Sequence, residues 1–97
     1  MVNLNLNCEG FEKYLVGKKD WTMLNTPGIQ YQFEFDNEFG ASVIKHYGSY
    51  GYDADLWELA VYDRDGDLCY STPITDDVLG YLTDEEVRET LRQIQEL

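Results

Sequence analysis

Between Ile29 and Phe35 the apolar residues fall on every second position. Ile29, Tyr31, Phe33 and Phe35 alternate with Gln30, Gln32 and Glu34. A period of two places the four large side chains on one face of a β-strand and the polar ones on the other. Such a strand needs neighbours for its backbone and a partner layer for its apolar face, so the chain is committed to a sheet with something packed against it. The segment Asp36-Asn37-Glu38-Phe39-Gly40 then reads as a hairpin loop, with Gly40 suited to the left-handed position such loops require. Ala41 to His46 returns as a second strand containing Val43 and Ile44. Leu56 to Tyr62 is a third, with Trp57, Leu59 and Val61 sharing a face, and Asp63-Arg64-Asp65-Gly66-Asp67 turns it into a fourth, Leu68 to Ser71. Connections this short imply antiparallel pairing, because parallel strands need a crossover of a dozen or more residues.

The flanks read differently. Val2, Leu4 and Leu6 alternate with Asn3, Asn5 and Asn7, which predicts a short strand. Cys8 to Val16 carries Phe11, Tyr14 and Leu15 at helical spacing and is expected to be a short helix ended by Gly17, with Lys18 and Lys19 beyond its negative pole. Trp21, Met23 and Leu24 lead to a Pro27-Gly28 turn. Thr75 caps a short turn with Asp76 and Asp77 at its start and Gly80 at its close. Thr83-Asp84-Glu85-Glu86 is a capping box, with Leu82 and Val87 as its hydrophobic staple. Val87, Leu91 and Ile94 form the apolar stripe of a last helix. The expected fold is one α+β domain over residues 1–97: an antiparallel four-stranded meander with a short N-terminal helix and a C-terminal helix packed on one face.

Charge narrows the function. Nineteen Asp and Glu face seven Lys and Arg, a formal charge of −12, yet 43% of residues are hydrophobic. A chain with this apolar content folds and carries its charge as a surface field, which repels nucleic acid and anionic membrane and attracts basic protein surfaces. No run approaches the roughly 20 apolar residues of a membrane span. Met1 to Gly10 lacks the basic start and apolar block of a signal peptide, so a cytoplasmic protein is expected. In that compartment Cys8 and Cys69 are expected to be buried thiols, with a disulfide as the alternative.

The motifs that carry chemistry elsewhere are incomplete here. Asp63, Asp65, Gly66 and Asp67 resemble part of a calcium loop, but with Gly66 at the sixth position the first and twelfth are Val61 and Thr72. A turn explains the same residues. His46 is the single histidine, the serines lack a nucleophile-elbow setting, and no glycine spacing holds phosphate. Among nineteen acids close carboxylate pairs arise by chance. The expectation is no enzyme, no cofactor and no metal. On the last helix Glu85, Glu89 and Glu96 read as a solvated face, spaced to pair with Arg88 and Arg92. The loop Tyr47-Gly48-Ser49-Tyr50-Gly51-Tyr52-Asp53-Ala54-Asp55 is longer than the usual two to five residues of a hairpin connection. Its mixture of Tyr, Gly and Ser is that of a binding loop, unless the tyrosines fold back over the core edge.

Several runs are similar to small uncharacterised proteins encoded by phages and prophages of Gram-positive bacteria. These are Gly28 to Tyr31, Phe33 to Asn37, Gly40 to His46, Leu56 to Val61 and Pro73 to Thr83. The resemblance spans roughly Pro27 to the C-terminus. It implies a bacterial host cytoplasm and carries no activity or site residues.

Two functions follow as expectations. In the first, the chain binds a basic host protein and inhibits a nucleic-acid-binding machine (a nuclease, a polymerase or a CRISPR effector) as a DNA mimic, carboxylates standing in for phosphates. The partner-binding residues would be Glu34, Asp36, Glu38, Asp53, Asp55, Glu58 and Asp63, with Tyr50 and Tyr52 as anchors. No direct contact with nucleic acid or membrane is expected. In the second, the chain self-associates, as a homodimer or within an assembly, through sheet edges or an uncovered face.

Overall fold

Among the described residues, the alternating run becomes the second strand of a five-stranded antiparallel sheet. The computed structural model describes residues 2–63, 65–68 and 78–97. Strands β1 (Leu15–Met23), β2 (Thr26–Glu34), β3 (Gly40–Lys45), β4 (Trp57–Tyr62) and β5 (Val78–Leu82) lie in that order across the sheet, followed by helix α1 (Asp84–Gln95). Tyr31 pairs with Val43 and Val43 with Leu59, so the inward positions of three strands stack in one register. Ile29, Tyr31, Phe33, Val43, Trp57, Leu59 and Val61 are buried together with Val87, Leu91 and Ile94 of α1. The chain is α+β, as its pattern required, with α1 packed against β3, β4 and β5.

The start of α1 follows its sequence closely. Thr83 Oγ1 accepts the Glu86 N–H at 3.1 Å and Glu86 Oε1 accepts the Thr83 N–H at 3.0 Å, the reciprocal capping box. On its outer face Arg92 pairs with Glu89 and Glu96. Arg88 instead donates to the Asn7 carbonyl at 3.3 Å.

The N-terminal third departs from expectation. Only Glu12–Tyr14 forms a turn of 3-10 helix where a longer helix was expected, and the chain then enters β1. A helix of nine residues is marginal without a packed face, whereas β1 gains a full ladder against β2. The apolar spacing still marks what is buried: Tyr14 packs on Phe35 at 5.0 Å between ring centroids, and Phe11 meets Phe35 edge-on at 6.4 Å. Lys18 and Lys19 therefore lie within a strand, and the Lys18 ammonium sits 5.5 Å from the Tyr31 ring centroid. The reversal expected at Pro27-Gly28 occurs at Leu24-Asn25, whose φ of 52° and 59° suit a tight two-residue hairpin turn. Pro27 and Gly28 pair within β2.

Residues Val2 to Cys8 form no strand. Their backbone bonds to side chains rising from the sheet face and from α1. Tyr31 Oη accepts the Leu6 N–H at 3.2 Å and donates to the Leu4 carbonyl at 3.0 Å, while Asp84 accepts the Asn7 N–H at 3.1 Å. Cys8 is a free, half-buried thiol whose pKa is pushed up by burial and then by Glu12 and Asp84. Cys69 lies outside the described residues.

Two turn assignments also change. The left-handed residue of the β2–β3 loop is Glu38, at φ 72°, and not Gly40. Gly40 is required by close approach: a Cβ there would lie 2.7 Å from the Phe33 carbonyl oxygen. Among the described residues β5 pairs with β4; of the strand expected at Leu68 to Ser71, Leu68 makes one antiparallel bridge to Tyr62, and Cys69 to Ser71 lie outside the described residues. Gly80 belongs to β5 and closes no helical turn, and Thr75, Asp76 and Asp77 are likewise outside the description.

Candidate functional site

The pairing register divides the nominated residues between the two ends of the sheet. Glu34 pairs with Gly40, and Gly40 with Tyr62, so the β2–β3 turn and the turn after β4 lie side by side. This brings Glu34 and Glu38 to the same cavity as Asp63, with Asp36 in the first turn and Asp65 and Asp67 in the second. Arg64 of the same turn lies outside the described residues. Between the two turns is an open cavity of about 400 Å³ lined by Gln32, Glu34, Phe39, Ser42, Tyr62 and Asp63 among others. Tyr50, Tyr52, Asp53, Asp55 and Glu58 gather at the opposite end. The six residues of β3 separate the two groups by roughly 20 Å at about 3.3 Å per residue.

Within the acidic end the side chains differ in what they do locally. Asp63 Oδ1 accepts the N–H groups of Asp65 at 2.9 Å and Asp67 at 3.1 Å, and Gly66 supplies φ 81°. The carboxylates of Asp63, Asp65 and Asp67 lie within 4.8 Å of one another. One of these oxygens is thus engaged by two backbone donors, the arrangement of a self-contained turn. Calcium at 1 mM is expected to leave the melting temperature unchanged within about 1 °C, because Asp63 is engaged by backbone donors and Val61 and Thr72 stand where a calcium loop needs its first and twelfth ligands; a concentration-dependent rise would establish a site. Glu34, Asp36 and Glu38 are exposed.

At the other end most of the nominated acids serve the fold. Asp55 pairs with Lys45, the one described lysine that is buried, at 2% exposure. Lys45 occupies an inward position of β3 and donates to Asp55 Oδ1 at 2.8 Å, to the Asn3 carbonyl at 2.7 Å and to the Asp55 carbonyl at 3.1 Å. Its ammonium also lies 4.2 Å from the Trp57 ring centroid. The hydrogen bond from Lys45, then that from the Asn3 N–H, holds the Asp55 carboxyl below the usual range. Glu58 Oε1 accepts the Tyr50 N–H at 2.8 Å, tying the Tyr-rich loop to β4. Asp53 is exposed in a short 3-10 turn, Tyr52–Ala54.

The tyrosines split in the same way. Tyr52 folds back, its hydroxyl donating to the Pro27 carbonyl at 3.1 Å. Tyr47 and Tyr50 remain exposed, joined by Tyr81 of β5, which the sequence did not single out. Nothing in the local pattern marks Tyr81, because its prominence comes from β5 pairing beside the loop. His46 is half-buried at the end of β3, with Nδ1 2.9 Å from the Tyr47 carbonyl oxygen.

No helix among the described residues is long and apolar enough to cross a membrane. No protein-family model, curated protein or solved structure matches the chain.

Proposed function

We propose that this chain is a non-enzymatic acidic binding protein that engages a basic protein surface through the acidic end of its sheet. The observation that supports the reading is the register: Glu34 and Glu38, far from Asp63 in sequence, line one cavity with it at the same end of the sheet. Carboxylates gathered in this way raise the encounter rate with a cationic surface and select against anionic ones. In the phage setting that the sequence resembles, the partner would be a nuclease, polymerase or CRISPR effector, and the acidic end would occupy the groove that takes phosphates.

The test uses the whole chain as bait in lysate of a Gram-positive bacterium, beside the triple variant Glu34→Gln, Asp36→Asn, Glu38→Gln. A basic protein retained at 50 mM NaCl, released at 500 mM and lost with the variant is the expected result. Retention that is indifferent to both salt and the variant would refute the reading.

A second reading, self-association, is favoured by the outer edge of β1. Val16 and Met23 are exposed there, and Leu24 projects from the adjoining turn. Unpaired strand edges of this kind recruit further strands unless charge opposes it, and Lys18, Lys19 and Asp20 lie mid-strand. Light scattering is expected to give the monomer mass at both 10 and 500 µM; a dimer at the higher concentration that Val16→Lys abolishes would favour this reading instead.

A further inference from the structure

Tyr50 and Tyr81 come from different elements and meet at the end of the sheet opposite the acidic turns. The Tyr50 carbonyl accepts the Tyr81 N–H at 3.4 Å. Two glycines permit the approach: a Cβ on Gly80 would lie 2.6 Å from Tyr50 Cβ, and one on Gly51 would lie 3.0 Å from Tyr81 Cα. Although their backbones are this close, both side chains stay in solvent, at 60% and 62% exposure. Tyr81 also holds φ 59°, a left-handed conformation that bulky residues avoid and that Asn or Gly would adopt at lower cost. Strain of this kind concentrates at binding sites.

Three tyrosines that are buried or half-buried show what a structural role looks like in this chain. Tyr14, Tyr31 and Tyr52 all use their hydroxyls in the fold. Among the described residues, the hydroxyls of Tyr50 and Tyr81 make no hydrogen bond. The fold therefore positions two exposed aromatic rings whose hydroxyls it does not use among the described residues.

We infer that Tyr50 and Tyr81 form a docking surface for an arginine-bearing segment of a basic protein, an inference that rests on the basic-partner reading above. Charge complementarity selects the occupant. Exposed Asp53 lies in the same loop, Glu58 holds the Tyr50 backbone, and the chain as a whole carries −12. A guanidinium is planar and weakly hydrated, so it stacks on tyrosine while its edge reaches carboxylates. The roughly 20 Å to the acidic turns lies within a standard interface of about 800 Å² per partner.

The test is aromatic carbon–proton NMR on the unmodified chain titrated with octa-arginine and, separately, octa-lysine. Octa-arginine is expected to shift the ring resonances of Tyr50 and Tyr81. Tyr50→Ala and Tyr81→Asn, the latter chosen because Asn keeps the left-handed backbone, should each weaken octa-arginine about two- to fivefold, with a smaller effect on octa-lysine. If octa-arginine shifts the amides of Glu34 to Glu38 and leaves both rings unmoved, the docking surface is wrong and the acidic-end reading stands. If neither peptide binds, both fall. Ring shifts that grow with protein concentration alone would assign the surface to a second copy and overturn the inference. The ring shifts are read on the unmodified chain, so the outcome does not depend on either variant folding.

Discussion

Replacing Trp57 with Ala is expected to destabilise the protein by about 3–5 kcal/mol, the range for a buried large aromatic. Trp57 is fully buried and joins three layers. Its indole N–H donates to Asp84 Oδ1 at 2.7 Å, at the first residue of α1. Its ring meets Tyr31 edge-on at 5.7 Å, and the buried Lys45 ammonium lies over it. Asp84 in turn accepts the Asn7 N–H, so loss of the indole loosens the helix start and the N-terminal segment together. Against the 5–15 kcal/mol of a typical domain, such a loss removes a large share of the total. Urea denaturation measures it; a loss below about 1 kcal/mol would mean that this junction does not hold the layers. Trp57→Phe should recover most of the packing and leave a smaller deficit from the missing N–H.

Asp55→Asn is expected to cost about 1–2 kcal/mol at neutral pH, the lower part of the range for a charge-assisted hydrogen bond, because Asp55 is 43% exposed and partly screened. The substitution keeps the left-handed backbone at φ 60° and removes the charge beside Lys45. The pH dependence has a definite sign. Lys45 and Asn3 hold the folded carboxyl below its unfolded value, so the native state favours the ionised form. The wild type's advantage over Asp55→Asn is full above pH about 5 and shrinks as pH falls below about 4, through the depressed value. Melting curves of both proteins from pH 7 to 3 should converge at the acid end. Curves that stay parallel throughout would show that the ionised carboxylate does not support Lys45.

How much of this is legible in the sequence depends on whether a residue's role is local. The β2 alternation, the Trp57–Leu59–Val61 face and the Thr83 capping box are written in consecutive residues, and all three appear where their spacing places them. β1 was hidden because Lys18, Lys19 and Asp20 interrupt any apolar period, as they can on an edge strand that is wet on one side. Its turn was hidden because Leu24-Asn25 lacks the glycine that normally signals a two-residue hairpin. The buried Lys45 had a readable clue: it follows Ala41 and Val43 at a spacing of two, which points it inward. Lysine is so rarely buried that the clue is outweighed, and Asp55 then looks like a free surface acid when it is a counterion. The candidate site suffers from the same limit. Which acids stand together is decided by strand register, and register brings Glu34 and Glu38 to Asp63 while separating all three from Asp53.

That register carries the functional account, and the salt dependence of binding tests it most directly. With the basic partner in hand, log Kd plotted against log NaCl should have a steep slope for the wild-type chain. The slope should fall clearly for the triple variant at Glu34, Asp36 and Glu38, with weaker binding at low salt and little difference above about 0.5 M, where surface charges are screened. Equal slopes for the two proteins would contradict the assignment of the acidic end as the binding surface.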